Sequence, residues 1–390
     1  MRRHLFELPD DVVYLCGNSL GALPRSVPPR MARVLQEEWG QDIVAGWNTA
    51  GWTDLSASIA RRIAPLIGVQ PQDMVVGDST SVTLFKTMVA AARLRPDRRV
   101  LVVEPTTFPT DGYVAAGVAR TLGLELRWCD PADPAASLDD DVALLSLTHV
   151  DFRSGAMFDV DAVTAAAHAA GTVVIWDLCH TAGAVPVDLT AADADLAVGC
   201  TYKYLNGGPG SPAFVWVAPR HQEVLDQPIT GWWGHARPFD MTLDFEPAPG
   251  AQRMVVGTPP VLALSALDAA LEVFDGVDPQ ELRTASLALT DLFIEQVESR
   301  TTGFELITPR DHARRGSQVA FRHDDAYGVV QALIARGVVG DFRSPDVARF
   351  GFAPLYVTPN DVVTAVDRLV AVLAADEHRA PAYRTRNAVR

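Results

Sequence analysis

The sequence lacks several features that place other proteins in a class. Only four of its 390 residues are cysteine (Cys16, Cys129, Cys179 and Cys200), and none of them has a CxxC or zinc-ligand spacing. There is no GxxxxGK(S/T) or GxGxxG motif, no apolar run of the ~18 residues that span a bilayer, and no apolar segment in the first residues. We therefore expect no metal site, nucleotide P-loop, membrane span or secretory signal.

Positive charge is also scarce. Lys and Arg number 33 against 48 Asp and Glu, so the formal net charge is −15. Such a balance argues against nucleic acid or an anionic membrane as the main partner. Apolar residues make up 48% and charged residues 21%, an ordinary globular composition that excludes intrinsic disorder. We expect a cytoplasmic protein with reduced, mostly buried thiols.

Short apolar runs recur along the first two thirds of the chain, with Ala-rich helical segments between several of them. They lie at Met74–Val76, Arg99–Val103, Leu124–Trp128, Val142–Leu147, Thr172–Trp176, Asp195–Gly199 and Ala213–Val217. Strands covered on both faces need continuous rather than alternating apolar residues. The pattern predicts an α/β fold with a doubly wound, mostly parallel seven-stranded sheet. The last run follows a Gly/Pro loop without a helix, which favours an antiparallel strand.

The pattern changes after about residue 258, where long helices and weaker β segments follow. We predict a large domain over residues 46–279 and a smaller α+β domain over 280–378. The first 45 residues are expected to pack on the small domain, and a basic tail over 379–390 is expected to fray. Thr358 and Pro359 are typical of the N-cap and first position of the last helix.

Two polar residues stand at neighbouring strand ends, where open α/β sheets bind their ligands. Asp177 directly follows the run Thr172–Trp176, and Lys203 follows Asp195–Gly199 after a short turn. Taken singly, the aspartate is more typical of a turn and the lysine of the surface. Together they suit pyridoxal phosphate, because a lysine can bind its aldehyde while a carboxylate keeps its ring nitrogen protonated.

The phosphate and the aromatic ring of such a cofactor would each need further residues to bind them. Thr80 and Ser81 begin a helical stretch, and free N–H groups at a helix start bind anions. Phe108 and Asp111 follow another strand end, where the ring could stack on a cofactor and the carboxylate could orient a polar group. Simple helix capping and a core phenylalanine are the plainer alternatives.

Taken together, the motifs resemble those of the kynureninases, pyridoxal-phosphate enzymes of fold type I that act in tryptophan catabolism. The resemblance covers most of the chain, and its order and number of motifs make it specific. It is carried by Tyr14–Pro24, Gly77–Lys86, Thr106–Asp111, Trp176–Leu189, Thr201–Phe214, Gly231–His235, Gly257–Leu267 and Ala348–Tyr356.

The resemblance implies roles for individual residues. Lys203 would bind the aldehyde of pyridoxal 5′-phosphate, Asp177 would contact its ring nitrogen, and Tyr202 is expected to lie near the phosphate and deliver protons. Further cofactor contacts are implied for Thr80, Ser81, Phe108, Asp111, Thr148, His180, Trp232 and Thr258. Substrate contacts are expected from Asn18, Ser19, Trp233, His235 and Arg349, whose guanidinium would bind the carboxylate.

The resemblance further implies the reaction and the assembly. Water would cleave the Cβ–Cγ bond of L-kynurenine to give anthranilate and L-alanine. Trp232 and Thr258 would reach the phosphate of a neighbouring subunit, which implies a homodimer with shared active sites. Thr258 stands where animal relatives carry asparagine, so L-kynurenine is favoured over 3-hydroxykynurenine.

Three alternatives remain at this stage. A class V aminotransferase uses the same lysine and aspartate, and a related enzyme on a ring-substituted kynurenine is also open, since a methyl or hydroxyl changes pocket fit by only ~1–3 kcal/mol. An inactive dimeric scaffold that binds pyridoxal phosphate is the third. A cysteine desulfurase is disfavoured because no cysteine follows Cys200.

Overall fold

A seven-stranded sheet forms the centre of the computed structural model, which describes residues 2–385. Its strands are β1 (Met74–Val76), β2 (Val100–Val103), β3 (Glu125–Trp128), β4 (Val142–Thr148), β5 (Val173–Asp177), β6 (Leu196–Gly199) and β7 (Phe214–Val217). Their spatial order is β1-β7-β6-β5-β4-β2-β3. β7 is antiparallel to both of its neighbours, β1 and β6, and the other neighbouring pairs are parallel. All seven predicted strands and the mostly parallel α/β fold are therefore confirmed, including the antiparallel direction of the last strand.

The burial of the sheet explains its composition. Every residue of β4 is buried, as are those of β1, β2 and β5–β7, whereas the edge strand β3 is partly exposed. Two separate apolar clusters, one on each face, pack the sheet against helices. A continuous run of Val, Leu and Ile satisfies both faces at once, which an alternating strand could not do.

Eleven α-helices are assigned within the described residues. They are α1 (Val27–Arg33), α2 (Gly46–Thr49), α3 (Leu55–Ile63), α4 (Thr80–Arg93), α5 (Pro109–Leu122), α6 (Val160–Ala169), α7 (Pro219–Gln222), α8 (Val261–Ala270), α9 (Pro279–Arg300), α10 (Ala326–Ala335) and α11 (Pro359–Ala374). A π-helical turn, Val34–Trp39, extends α1. Within residues 2–385 no helix has both the length and the apolarity that a bilayer crossing requires.

A smaller antiparallel sheet follows in the C-terminal part. Its strands are β8 (Glu305–Leu306), β9 (Gln318–Arg322), β10 (Asp341–Arg343) and β11 (Val347–Gly351), in the order β8-β9-β11-β10. Helix α11 starts with the expected Thr358 N-cap, whose hydroxyl accepts a hydrogen bond from the Asp361 N–H while the Asp361 carboxylate accepts one from the Thr358 N–H. The boundaries proposed above, 46–279 and 280–378, stay a prediction.

The N-terminal segment contacts both the C-terminal part and the helices that cover the large sheet. The short strand Val13–Tyr14 pairs in parallel with Val338–Val339, whereas Ser26, just before α1, donates a hydrogen bond to the Ala269 carbonyl of the large sheet's helix layer. Glu377–Arg379 and Pro381–Tyr383 form two 3-10 turns and His378 is buried, and the frayed tail stays a prediction. Residues 386–390 of that predicted tail lie outside the described residues.

Candidate active site

A cleft of about 230 Å³ lies at the carboxyl ends of the parallel strands. It collects residues that are far apart in the sequence, because parallel strands end at the same edge of a sheet. Twelve of the predicted site residues line it: Asn18, Ser19, Thr80, Ser81, Phe108, Asp111, Thr148, Asp177, His180, Tyr202, Lys203 and Arg349. Residues predicted from the strand ends and residues implied by the family resemblance therefore line one cleft.

Lys203 lies in the turn that follows β6, and its position depends on the N-terminal segment. The Gly21 N–H donates a hydrogen bond to the Tyr202 carbonyl at 2.8 Å. A Cβ atom at Gly21 would overlap the carbonyl oxygen of Lys203 and the backbone of Asn206. Only glycine therefore allows the two segments to approach so closely.

A chain of hydrogen bonds orients the Lys203 amine. Its Nζ lies 2.9 Å from His180 Nε2, and His180 Nδ1 lies 3.0 Å from Gln318 Oε1. The Gln318 amide donates through Nε2 to the carbonyls of Asp151 and Phe152, so its oxygen must face the histidine. Burial lowers the pKa of His180, and the charges of Lys203 and Arg349 lower it further. A neutral imidazole thus donates through Nδ1 and accepts from Lys203 through Nε2.

Two carboxyl groups lie together beside the lysine. Asp177 ends β5 and is 3% exposed, while Asp111 in the first turn of α5 is 4% exposed. Asp177 accepts a hydrogen bond from the Cys179 N–H at 2.6 Å. Burial raises the pKa of Asp111 well above its usual range, and the negative charge of Asp177 adds to this effect. The negative charge of Asp177 therefore favours the protonated form of Asp111.

Hydroxyl groups support this acid pair. Thr107 donates to Asp111 Oδ2 at 3.1 Å, and its Oγ1 lies 2.7 Å from that of Thr148, the last residue of β4. Thr148 and Asp177 are direct neighbours in the parallel register of β4 and β5. The sheet register thus brings Thr148 and Asp177 side by side.

Glu104 is a buried carboxyl group that our sequence reasoning missed. It follows β2 directly and is 1% exposed. Its oxygens accept hydrogen bonds from Thr106 Oγ1 at 2.9 Å and from the Thr148 N–H at 3.3 Å. Burial raises the pKa of Glu104 to about 7, and the charges of Asp151 and Asp177 contribute in the same direction. The signal was available, since a carboxylate after the apolar run Arg99–Val103 repeats the pattern of Asp177.

The start of helix α4 supplies an anion-binding end to the cleft. Ser79 caps the helix by accepting a hydrogen bond from the Val82 N–H, and Thr80 and Ser81 line the cleft. The first N–H groups of an α-helix have no partner within it, so this end attracts negative charge. Phe108 stands nearby, 44% exposed, with its ring edge-to-face against Phe152 at 5.3 Å between centroids.

Tyr202 lines the cleft next to Lys203, and Cys179 and Cys200 lie close to it. The Lys203 Nζ lies 5.8 Å from the centre of the Tyr202 ring. Burial raises the pKa of Tyr202, and the neighbouring Cys200 raises it further, so the phenol keeps its proton. The Cys200 N–H donates a hydrogen bond to Cys179 Sγ at 3.1 Å. All four cysteines are buried, and none of them forms a disulfide bond.

The predicted carboxylate-binding arginine is more enclosed than expected. Arg349 on β11 lies opposite Asp341 on β10 in the antiparallel register, and its Nε donates to Asp341 Oδ1 at 2.7 Å. Its other nitrogens donate to Asp341, to Ser19 Oγ at 2.9 Å and to the Phe152 carbonyl. Arg343 also lines the cleft and donates to Asp341 Oδ2 at 2.9 Å.

Four predicted site residues are not among those that line this cleft. Trp233 and Thr258 border a small separate cavity beside Gly77, and Trp232 packs edge-on against Trp233 at 4.8 Å between ring centres. His235 uses both ring nitrogens within its own loop, accepting from the Arg237 N–H at 2.8 Å and lying 3.2 Å from the Asp244 carbonyl oxygen. A role for these residues at this chain's own cleft is therefore not supported by their placement.

Residues that the sequence reasoning did not single out also border the site. They are Thr110, Phe152, Cys179 and Arg343 in the lining, with Thr107, Gln318 and Asp341 behind it. Gln318, Asp341 and Arg343 reach the site through the pairing of strands in the small sheet, which no local motif indicates.

Comparison with known proteins supports the same fold and family. A model of the kynureninase C-terminal domain matches residues 282–369. Two curated relatives, kynureninases from Burkholderia mallei (strain SAVP1) and Pseudomonas fluorescens, are each 50% identical. The first match covers 99% of this chain and 95% of the relative, and the second covers 95% and 91%.

Similar solved structures belong to other pyridoxal-phosphate enzymes. The apo cysteine desulfurase from Thermococcus onnurineus NA1 matches with a TM-score of 0.82 at 16% identity, covering 96% of this chain and 97% of the other. A C-DES mutant with glycine covalently linked to its PLP cofactor matches with a TM-score of 0.81 at 17% identity, covering 95% and 99%. At such identities these likenesses establish the shared fold alone.

Proposed function

The chain belongs to the kynureninase family, and from this premise we propose that it hydrolyses the Cβ–Cγ bond of L-kynurenine to anthranilate and L-alanine. The observation that carries the proposal is the cleft in which Lys203 and the Asp111–Asp177 pair lie together. Pyridoxal 5′-phosphate is the cofactor of this family.

The residues present fit that cofactor. The negative charge of Asp177 raises the pKa of Asp111, and a protonated ring nitrogen would supply a positive charge that offsets this repulsion. The start of α4, with Thr80 and Ser81, suits the phosphate, Phe108 offers a ring to stack on, and the Lys203 amine stands ready for the aldehyde. When bound, the cofactor supplies an electron sink for the carbon atoms of the substrate.

The chain's own groups then have separate tasks. Lys203 moves the proton at Cα of the substrate, and His180 holds the amine in position through the hydrogen bond to its neutral ring. With the cofactor bound, Asp177 would keep its ring nitrogen protonated. Tyr202, whose pKa is raised, delivers a proton as anthranilate and alanine are released. Arg349, near Asn18 and Ser19, provides positive charge for the substrate carboxylate.

We further propose that the active enzyme is a cytoplasmic homodimer. Thr258 is exposed, and large apolar side chains are exposed beside it and in the nearby loops: Leu35, Trp39, Ile43, Val44, Phe239, Met241, Leu243 and Leu262. An apolar groove of about 430 Å³ between Trp39 and Leu262 adds to this surface. Contiguous apolar area of this kind is typical of a protein interface. Trp232 and Thr258 would then serve the partner's cleft.

The dimer proposal is tested by mixing two inactive variants. Lys203→Ala keeps its own Trp232, and Trp232→Ala keeps its own Lys203. If sites are shared, random reassociation leaves one intact site in each hybrid dimer and restores about a quarter of wild-type activity. No recovery, or a monomer by light scattering, would contradict shared sites.

The reaction is tested with three substrates. L-kynurenine, 3-hydroxykynurenine and L-cysteine are supplied separately to the holoenzyme, and the aryl amine and alanine are measured. We expect equal amounts of anthranilate and alanine from L-kynurenine. Alanine from cysteine alone, or transfer of the amino group to a 2-oxo acid without anthranilate, would replace the proposal with a desulfurase or an aminotransferase.

A further inference from the structure

The sequence contains two lysines among its 33 basic residues, and the mechanism above uses one of them. Lys203 serves the cleft, whereas Lys86 lies on helix α4 and is 2% exposed. A lysine is seldom buried so completely unless its amine is paired. Because the chain has arginine at its other 31 basic positions, a buried lysine at position 86 indicates a task that needs the smaller ammonium group.

Lys86 connects α4 to two other segments of the chain. Its Nζ donates hydrogen bonds to Asp78 Oδ2 and to the Met254 carbonyl oxygen, each at 2.5 Å. Met254 ends the 3-10 turn Gly250–Met254, 168 residues along the chain from Lys86. Burial lowers the pKa of Lys86, while the hydrogen bond and the charge of Asp78 act in the opposite direction. The positive charge of Lys86 therefore depends on the Asp78 carboxylate.

Asp78 lies in a strained turn directly before the N-cap of α4. Its φ is 54°, in the left-handed region that residues other than glycine rarely adopt. The Gly77 N–H donates to the Ala213 carbonyl at 2.9 Å, and the Ala213 N–H donates to the Asp78 carbonyl at 3.0 Å. A conformation of this kind persists only where the surrounding structure holds it. Ala213 holds the backbone of the turn, and Lys86 holds its side chain.

The turn leads into the end of α4 that faces the cleft. Ser79 caps the helix, and Thr80 and Ser81 line the cleft at the helix start, where unpaired N–H groups attract an anion. A carboxylate at Asp78 also favours this positive helix end and so competes with an incoming anion. The ammonium of Lys86 neutralises that carboxylate and leaves the helix start available to a phosphate.

We propose that Lys86 is a positioning residue for the phosphate of pyridoxal 5′-phosphate. It neutralises Asp78 and holds the strained turn from which the first N–H groups of α4 are directed at the anion. The inference deepens the proposed function and rests on its cofactor site. It adds to that site a residue that does not itself line the cleft.

The test compares two forms of the cofactor that differ only in the phosphate. Full-length protein, freed of cofactor, is titrated with pyridoxal 5′-phosphate and with pyridoxal, and the dissociation constants are read from the absorbance of the bound cofactor. The variants are Lys86→Met, Lys86→Arg and Lys86→Met combined with Asp78→Asn. Arg93→Gln, at the other end of α4, is the matched control, since Arg93 also pairs with an aspartate, Asp226, but its side chain is 40% exposed.

We expect Lys86→Met to weaken the binding of pyridoxal 5′-phosphate about 10- to 100-fold, because Asp78 is then an unpaired negative charge near the phosphate. Pyridoxal has no phosphate, so its binding should change less than about threefold. Lys86→Arg keeps the charge without the compact shape and should lose less affinity. The double variant removes the repulsion and should recover part of the affinity that Lys86→Met loses. Arg93→Gln should match the wild type with both ligands.

Two results would overturn the proposal. If Lys86→Met bound pyridoxal 5′-phosphate as tightly as wild type, Lys86 would have no part in the phosphate site. Equal losses for pyridoxal 5′-phosphate and pyridoxal would show that Lys86 only stabilises the fold. Should Lys86→Met not fold, Lys86→Arg decides by the same two criteria. None of these measurements needs turnover, so they stay readable even if the wild-type protein forms no anthranilate.

Discussion

Buried carboxyl groups at the amino and carboxyl ends of the parallel strands have opposite surroundings. Asp195, just before β6, is 3% exposed and accepts hydrogen bonds from His221 and Arg220 at 2.7 Å, from His168 at 3.0 Å and from the Val174 N–H at 2.8 Å. Burial opposes its ionisation, but these donors outweigh burial and keep the pKa of Asp195 below its usual range.

At the other end the acids face each other instead. Burial and the charge of Asp177 raise the pKa of Asp111 well above its usual range, and burial together with nearby carboxylates raises the pKa of Glu104 to about 7. A fold that only had to be stable would pair these groups with cations, as it does at Asp195. The difference indicates that the carboxyl end of the sheet is arranged for a ligand and the amino end for stability.

Replacing one basic residue at each end of the sheet should distinguish the ligand-binding end from the stabilising end most clearly. Lys203→Ala is expected to lower kcat at least about 10³-fold, because the group that moves the Cα proton is lost. The visible absorbance of covalently held cofactor should disappear while the melting temperature stays within a few degrees. Anthranilate formation and thermal melts measure both.

The matched variant is Arg220→Ala at the amino end. It should leave kcat unchanged and lower the free energy of unfolding by about 1 kcal/mol, since Arg220 is 38% exposed on its side chain. If Lys203→Ala retained the coloured cofactor and turnover, the assignment of the functional end would be wrong.

Neutralising one carboxylate is the next largest change. Asp177→Asn keeps the shape of the side chain but removes the charge that keeps the ring nitrogen protonated. We expect kcat to fall about 10²- to 10³-fold, with no loss of stability, because Asp111 no longer faces a negative neighbour. If Asp177→Asn were as active as wild type but less stable, Asp177 would stabilise the fold rather than serve the ligand.

Asp195→Asn should show the opposite pattern. Leaving His168, His221 and Arg220 without their shared carboxylate is expected to cost about 3 kcal/mol of unfolding free energy at pH 7, with kcat per folded enzyme unchanged. The pKa of Asp195 is depressed in the folded state, so its contribution is present above the unfolded pKa of about 3.9 and is lost as pH falls below it. Wild type and variant should therefore converge in stability below about pH 4. Urea denaturation at several pH values measures this, and a constant difference would contradict it.

The same comparison shows what the sequence could and could not predict. The seven strands were predictable because burial on both faces leaves a continuous apolar run, and Asp177 and Lys203 because each stands where such a run ends. Arg343 was missed because its partner Asp341 also holds Arg349 through the register of β10 and β11, which no local motif records. Trp232 and Thr258 are not among the residues that line their own chain's cleft, and their role in a second subunit stays a prediction.

A final test concerns Glu104, a buried carboxyl group whose surroundings are intermediate between those of Asp195 and those of Asp111. Its pKa is raised from 4.5 to about 7, so the folded state holds the proton more tightly than the unfolded state. Wild-type stability should therefore fall as pH rises from about 5 to 7 and then level off, by about 3 kcal/mol at most. Glu104→Gln keeps an oxygen for Thr106 and for the Thr148 N–H but cannot ionise, so it should match wild type near pH 4 and exceed it at pH 8. Unfolding free energies of both proteins at pH 4 and pH 8 test this. If Glu104→Gln were no more stable than wild type at pH 8, the ionised Glu104 carboxylate would already be stabilised by its surroundings. The carboxyl end of the sheet would then cost less stability than its crowded acids indicate.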